Sequence, residues 1–207
     1  MDIGVIFPMA ISLFLILDPF ASLPMFISIT KGLDKTTIHS YANKSVLVAS
    51  LLLAIFLFFG TQIMDLFGVT MDSFRVAGGI IFLMMSIELV FGLKLSKNTE
   101  EKGAAWAVIA SPVLTGPGVI TAAILFSAEY GVIPALIASI IALALTWAIL
   151  WSSEWIMKAA GEQAISIMTR IIGLFIAAMA VQNIFTGSLH WFEMNVGTIT
   201  AALVAVI

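Results

Sequence analysis

Asp18-Pro19-Phe20-Ala21-Ser22-Leu23-Pro24 and Pro112-Val113-Leu114-Thr115-Gly116-Pro117-Gly118 decide how this chain is read. Each holds a Pro-x4-Pro break inside a strongly apolar run, and the two breaks lie 93 residues apart. The match continues downstream. Arg75-x-x-Gly78 follows the first break and Arg170-x-x-Gly173 the second, and in each case a glycine (Gly92, Gly187) stands seventeen residues after the arginine. Prolines, arginines and glycines recurring in one order imply two halves built on one plan, residues 1–95 and 96–190, followed by a short apolar segment, 191–207.

Composition sets the solvent. Of 207 residues 61% are hydrophobic and 10% charged, too few polar residues to cover a water-soluble domain. The class expected is an all-α integral membrane protein in the plasma (inner) membrane. A bilayer core of ~30 Å asks for ~20 apolar residues per helix. On that measure six spans are expected: Ile3 to Ile29, Tyr41 to Phe67, Phe74 to Leu93, Ala105 to Phe126, Val132 to Ile156 and Ala164 to Leu189, with helices 1 and 4 broken at the double prolines. The runs are continuous and do not alternate, which argues against strands. No basic residue precedes the first run, so it is expected to stay as a helix and not to be cleaved. Val196 to Ile207 is too short to span by itself.

Three spans per half is an odd number, so the second half enters the membrane from the opposite side. The expected architecture is two inverted three-helix repeats related by a two-fold axis in the membrane plane. Lys31, Lys35, Lys44, Lys94, Lys97, Lys102 and Lys158, with Arg170 close by, share one side, while Arg75 stands on the other. The positive-inside rule then puts the loops after helices 1, 3 and 5 in the cytoplasm and both termini outside. Trp147, Trp151 and Trp155 recur at the cytoplasmic end of helix 5, where an aromatic belt is the plain reading.

A proline inside a helix removes a hydrogen bond and crowds the carbonyl four residues back. In hydrocarbon the freed groups must be buried in protein or line a wet cavity. The breaks are therefore expected to face inward, and broken helices at corresponding places in two halves point to the central site of a secondary transporter. A half-helix starting after a break offers N–H groups and a positive dipole end to a carboxylate; the carbonyls before it suit an ammonium or a cation. The bland alternative is a pair of structural kinks. Expected substrate contacts are Asp18, Ser22, Thr115, Gly116, Gly118 and Thr121, beside the break residues Pro19, Pro24, Pro112 and Pro117.

Ionisable groups at depth are functional candidates. Asp18, Arg75, Glu88, Arg170, Gln182 and Asn183 are the expected gating or coupling residues, with Arg170 named as partner of Asp18. A structural ion pair, and interhelical packing for Glu88, Gln182 and Asn183, are the alternatives. Gly78-Gly79 and Gly173 are read as close-packing positions. The absence of cysteine removes thiolate chemistry; His39 and His190 lack metal-ligand spacing, and no phosphate loop is present. No cofactor, metal, nucleic acid or enzymatic reaction is expected.

The same residues resemble the MarC family of bacterial and archaeal membrane proteins, related to LysE-type exporters. The resemblance runs from about Ile3 to Gly187. It is carried by Asp18-Pro19 with Pro24, Phe74-Arg75-x-Ala77-Gly78-Gly79, Gly116-Pro117-Gly118 with Ile120-Thr121, and Arg170-x-x-Gly173 leading to Ala180-Val181-Gln182. It implies a six-helix transporter of small neutral amino acids (the glycine, alanine, serine class). The expected partners are that substrate and membrane lipid, with a coupling proton or sodium ion and an oligomer of the chain left open. Many relatives carry Gly-Asn where this chain has Ala21-Ser22, so the first break here is stiffer and offers a hydroxyl in place of an amide. A channel or drug exporter, and a non-transporting membrane partner protein, are the other function classes left open.

Overall fold

The computed structural model describes the backbone of residues 3–30, 32–92 and 117–206, and side chains for 4–27, 30, 32–92 and 118–196. All regular structure among them is helical: α1 (Ile3–Leu17), α2 (Pro19–Thr30), α3 (Lys35–Leu66), α4 (Met71–Phe91), α5 (Pro117–Tyr130), α6 (Val132–Trp151) and α7 (Ser153–Val206). Five helical segments are long and apolar enough to cross a membrane, the first counted across the α1–α2 junction, and the shorter apolar α5 accompanies them. The rest of the expected fourth span, with Pro112, Thr115 and Gly116, lies outside the described residues.

The boundaries follow from local chemistry. Asp34 starts α3 by accepting from the Thr37 N–H (3.1 Å) and hydroxyl (2.6 Å), so the helix begins six residues before the expected Tyr41. These bonds, the hydroxyl's first, hold the Asp34 carboxyl below its ordinary range. Thr70 caps α4 through Ser73 N–H, and Gly92 ends it in the left-handed region that glycine tolerates. The fifth span stops at Trp151, earlier than the expected Ile156, because Ser152 closes the last turn with its N–H. In α7 the kink at Gly161 (φ 76°) marks the start of the sixth span. The segment expected to be separate after Val196 continues that same helix to Val206.

The first break differs from expectation. Pro19 is the first residue of α2 and Pro24 lies inside it, so the four residues between the prolines are helical. The interruption is Asp18 alone, at φ 37° the sole non-glycine residue with positive φ among those described. Proline disfavours the α region for the residue before it, yet its fixed φ suits the first position of a helix. Pro24 removes one N–H, which α2 tolerates without breaking. Pro24 is also exposed, so it does not face inward as expected.

Small residues let the helices approach. Ala135, Ala138 and Ala142 form a buried stripe on α6, and Ala42 and Ala49 one on α3. α4 runs antiparallel to α7 and makes the most extensive contact in the structure. A Cβ at Gly79 would meet Ala180 O at 2.7 Å, one at Gly187 would meet Asp72 O at 2.7 Å, and one at Gly173 would meet Val90 Cγ2 at 2.9 Å. The expected packing role of Gly78-Gly79 and Gly173 is what these contacts show. Around the core, α1 packs on α6, α3 on α5 and α6, α2 on α7, and α5 on α4. Outward faces carry large apolar side chains such as Phe58, Phe59, Met84, Leu174 and Phe185, a surface suited to lipid and not to water.

Candidate functional site

Asp18 joins α1 to α2 near the middle of the first span. Fifteen residues of α1 lie before it and twelve of α2 after it, or about 22 Å and 18 Å of helix. Its N–H closes α1 by donating to Phe14 O at 3.2 Å. Its Oδ1 accepts from Ala21 N–H at 3.2 Å, which caps α2. Ser22 Oγ donates back to the Asp18 carbonyl at 3.3 Å. One residue thus terminates one helix and starts the next. Asp18 is 3% exposed, and its Oδ2 has no hydrogen-bond partner among the described residues. A buried carboxylate oxygen left in this way costs several kcal/mol unless something cationic or a proton satisfies it.

The described part of the fourth span, α5, also starts at mid-depth. Pro117 is the first residue of α5. Gly118 lies under Phe82 and Met85, at 3.3 Å and 3.1 Å from where its Cβ would stand, and these two side chains sit midway along α4. Thr121 is buried with its methyl against Gly78, so closely that no Cβ fits there. From that level α5 runs toward the first turns of α4, where Arg75 Nη2 and Glu129 Oε2 pair at 2.6 Å. Beside them His190 Nδ1 lies 2.8 Å from Asp72 Oδ1, linking α7 to α4. These two pairs lie at the same end of the bundle, the Arg75 end. At the other end, the Lys35 end, His39 stacks on Trp151 (3.6 Å, 12°) and Trp147 Nε1 donates to Asn43 Oδ1 at 2.7 Å. Trp147 and Trp151 therefore join α6 to α3, whereas Trp155 remains exposed.

The residues expected to gate or couple separate in space. Arg170 is exposed, off the stripe of Ile165, Ile172, Ile176 and Ala180 that α7 buries, and it makes no ion pair among the described residues. The expected Asp18–Arg170 pair is absent, because the buried stripe turns Arg170 away from the core. Gln182 is exposed and donates to Thr186 Oγ1, and Asn183 donates to Met179 O, both within α7. Glu88 is half-buried on α4. Sequence reasoning missed Glu129, Asp72, His190 and Asn43 as partners. Glu129 alone had a legible signal, an acid closing the fourth span on the side that holds Arg75. A crevice of about 360 Å³ at the α3–α4 turn, lined by Thr61, Met64, Asp65 and Gly68 to Met71, does not include Asp18 or α5.

The chain's relatives agree with this helical membrane architecture. A family model described as "MarC family integral membrane protein" matches residues 3–192. A UPF0056 membrane protein of Methanocaldococcus jannaschii is 35% identical over 188 residues, covering 85% of this chain and 92% of its own length. The UPF0056 membrane protein YhcE of Escherichia coli K12 is 32% identical over 203 residues, covering 90% and 93%. One of Archaeoglobus fulgidus is 29% identical over 188 residues, covering 85% and 88%. No solved structure matches the chain. With its helices long enough to span, its apolar outer faces and a family match along nearly its whole length, the chain belongs to the MarC family of multi-pass integral membrane proteins.

Proposed function

We propose that this protein is a secondary transporter of small neutral amino acids that works by alternating access, with substrate held near the membrane midplane between the two helix breaks. The observation that carries the reading is Asp18, a buried carboxylate at a mid-span helix junction whose Oδ2 lacks a partner among the described residues. An ammonium group satisfies such an oxygen, and the N–H groups opening α5 around Gly118 suit a carboxylate. A zwitterion with a small side chain matches both. Phe82 and Met85 over Gly118 leave little room for a larger one. Ser22, Thr121, Thr115 and Gly116 complete the proposed contacts, and Asp18 is the group through which a proton or sodium ion would couple.

The two inverted repeats, residues 1–95 and 96–190, belong to the same proposal. Matched packing supports them: α2 on α7 mirrors α5 on α4, and α2 on α6 mirrors α5 on α3. The lysine bias puts the Lys35 end in the cytoplasm.

The test is uptake of labelled glycine and alanine into proteoliposomes, with and without proton or sodium gradients, by the native protein and Asp18→Asn. Saturable uptake that small neutral amino acids compete for, and that Asp18→Asn loses while remaining folded, is expected. Non-saturable flux would point to a channel. No flux of either amino acid under any gradient would overturn the proposal.

A further inference from the structure

Asp18 is a buried acid for which the chain supplies no countercharge. Arg75 is committed to Glu129, and Lys35, Lys44, Lys158 and Arg170 are exposed where Asp18 is buried. The remaining cationic residues, Lys31, Lys94, Lys97 and Lys102, stand between the apolar runs of the sequence. Residues 103–116, which lead into the fourth span, contain no Lys, Arg or His, so they bring no positive side chain to mid-depth. The charge that balances Asp18 comes from outside the chain.

The same junction leaves carbonyls open. The last carbonyls of a helix have no donor within it and point beyond its end. Phe14 O is served by Asp18 N–H, but Leu15 O has lost its donor outright, because the residue four further on is Pro19 and carries no N–H. Ala21 N–H, which would reach Leu17 O in a continuous helix, goes to Asp18 Oδ1 instead. α1 therefore ends with the carbonyls of Leu15, Ile16 and Leu17 turned toward Asp18, whose Oδ2 is buried without a hydrogen-bond partner among the described residues. Leu13, Ile16, Leu17 and Leu23 wall the junction with fully buried apolar side chains.

We infer that the α1–α2 junction is a sodium site, formed by Asp18 Oδ2 and the carbonyl oxygens of Leu15, Ile16 and Leu17. A proton on Oδ2 would serve one of these carbonyls and leave the others unsatisfied, whereas a bare cation serves all of them at once. With one carboxylate a monovalent ion leaves the site neutral; a divalent ion would bury a net charge. Oδ2 has lone pairs for both a cation and an ammonium group, so the ion need not displace substrate. The inference deepens the transporter reading and rests on it for the ion's role, which is coupling; binding itself is independent of that role.

Thermal unfolding in detergent reads the site without a transport assay. The midpoint is followed across a sodium chloride series with choline chloride holding ionic strength constant and no amino acid present. The native midpoint is expected to rise by about 3–5 °C at ten times the dissociation constant and to keep climbing only logarithmically. Asp18→Asn, which keeps the α2 cap, should lose the rise, and Glu162→Gln, an exposed acid on α7, should keep it. Pro19→Ala returns an N–H to Leu15 O and should raise the dissociation constant about fivefold, as loss of one ligand oxygen allows; it carries the test if Asp18→Asn aggregates. A rise that survives in Asp18→Asn overturns the inference, as does a native midpoint the same in sodium and choline. A midpoint that ignores sodium and follows pH in the native protein but not in Asp18→Asn would make the proton the ion bound and overturn it too. An unchanged dissociation constant in Pro19→Ala would remove the carbonyls and with them the site described. Glycine uptake into proteoliposomes separates the two readings. No sodium response beside saturable, proton-driven uptake sinks the sodium site and leaves the transporter reading standing; sodium binding without uptake of either amino acid does the reverse.

Discussion

Gly79→Ala should loosen the α4–α7 seam, whereas Gly118→Ala should be nearly neutral for stability. At Gly79 the new methyl would stand 2.7 Å from Ala180 O and 3.1 Å from Ile184 N, both backbone, and 2.6 Å from Ile184 Cγ1. An ordinary carbon–oxygen contact is ~3.3 Å or more, so α7 must retreat by about 0.6 Å. A gap of that size forfeits roughly a quarter of each ~0.15 kcal/mol dispersion contact, and over about 40 atom pairs that is ~1.5 kcal/mol. Overpacking strain adds to it, and the better helix propensity of alanine offsets up to ~1 kcal/mol. The net loss should be about 1–2 kcal/mol, or roughly 2–8 °C in midpoint for a chain of this size. At Gly118 the nearest atoms are the thioether of Met85 at 3.1 Å and the Phe82 ring at 3.3 Å, and a flexible methionine can yield. The assay is thermal unfolding in detergent, followed by the monodisperse fraction on size exclusion after heating. A Gly79→Ala protein as stable as the native one, with Gly118→Ala the less stable of the two, would refute the reasoning.

Two further outcomes are expected. Asp18→Ala loses the α2 cap, worth ~1 kcal/mol, and puts a residue with no local hydrogen bond into the left-handed region at a further ~1–2 kcal/mol. Asp18→Asn keeps both features, so its midpoint should stay within a few degrees of native while Asp18→Ala falls clearly; equal losses would show that the charge, not the junction geometry, holds the break. Trp147→Phe removes the hydrogen bond to Asn43 and should cost ~1 kcal/mol, with Asn43→Ala adding little on top of it. Full additivity of the two in the same thermal assay would mean that the bond contributes nothing to holding α3 on α6.

The helical membrane architecture was legible because bilayer thickness converts apolar length directly into spans, and because caps and glycines are local signals. Met71–Phe91 differs from the expected third span by three residues at its start and two at its end. The first break was legible as a place and misread as a shape. Proline acts mainly on the residue before it, so the interruption fell on Asp18 and not between Pro19 and Pro24. The Asp18–Arg170 pair failed for another reason. Depth along a helix can be counted from sequence, but whether Arg170 faces the core depends on which stripe of α7 its neighbours bury.

What the sequence determined by itself is an all-helical membrane chain, with Asp18 before Pro19 marked as the place where the first apolar run is interrupted. These follow from hydropathy, from the steric rules of proline and from the cost of placing a carboxylate in an apolar run. Tertiary structure alone decided the partners: Glu129 for Arg75, Asp72 for His190, Asn43 for Trp147, and none among the described residues for Asp18 Oδ2. Partnership depends on the rotation and register of helices 54 to 118 residues apart in the chain; for Asp72 and His190 the close approach of α4 and α7 at Gly79, Gly173 and Gly187 sets that register.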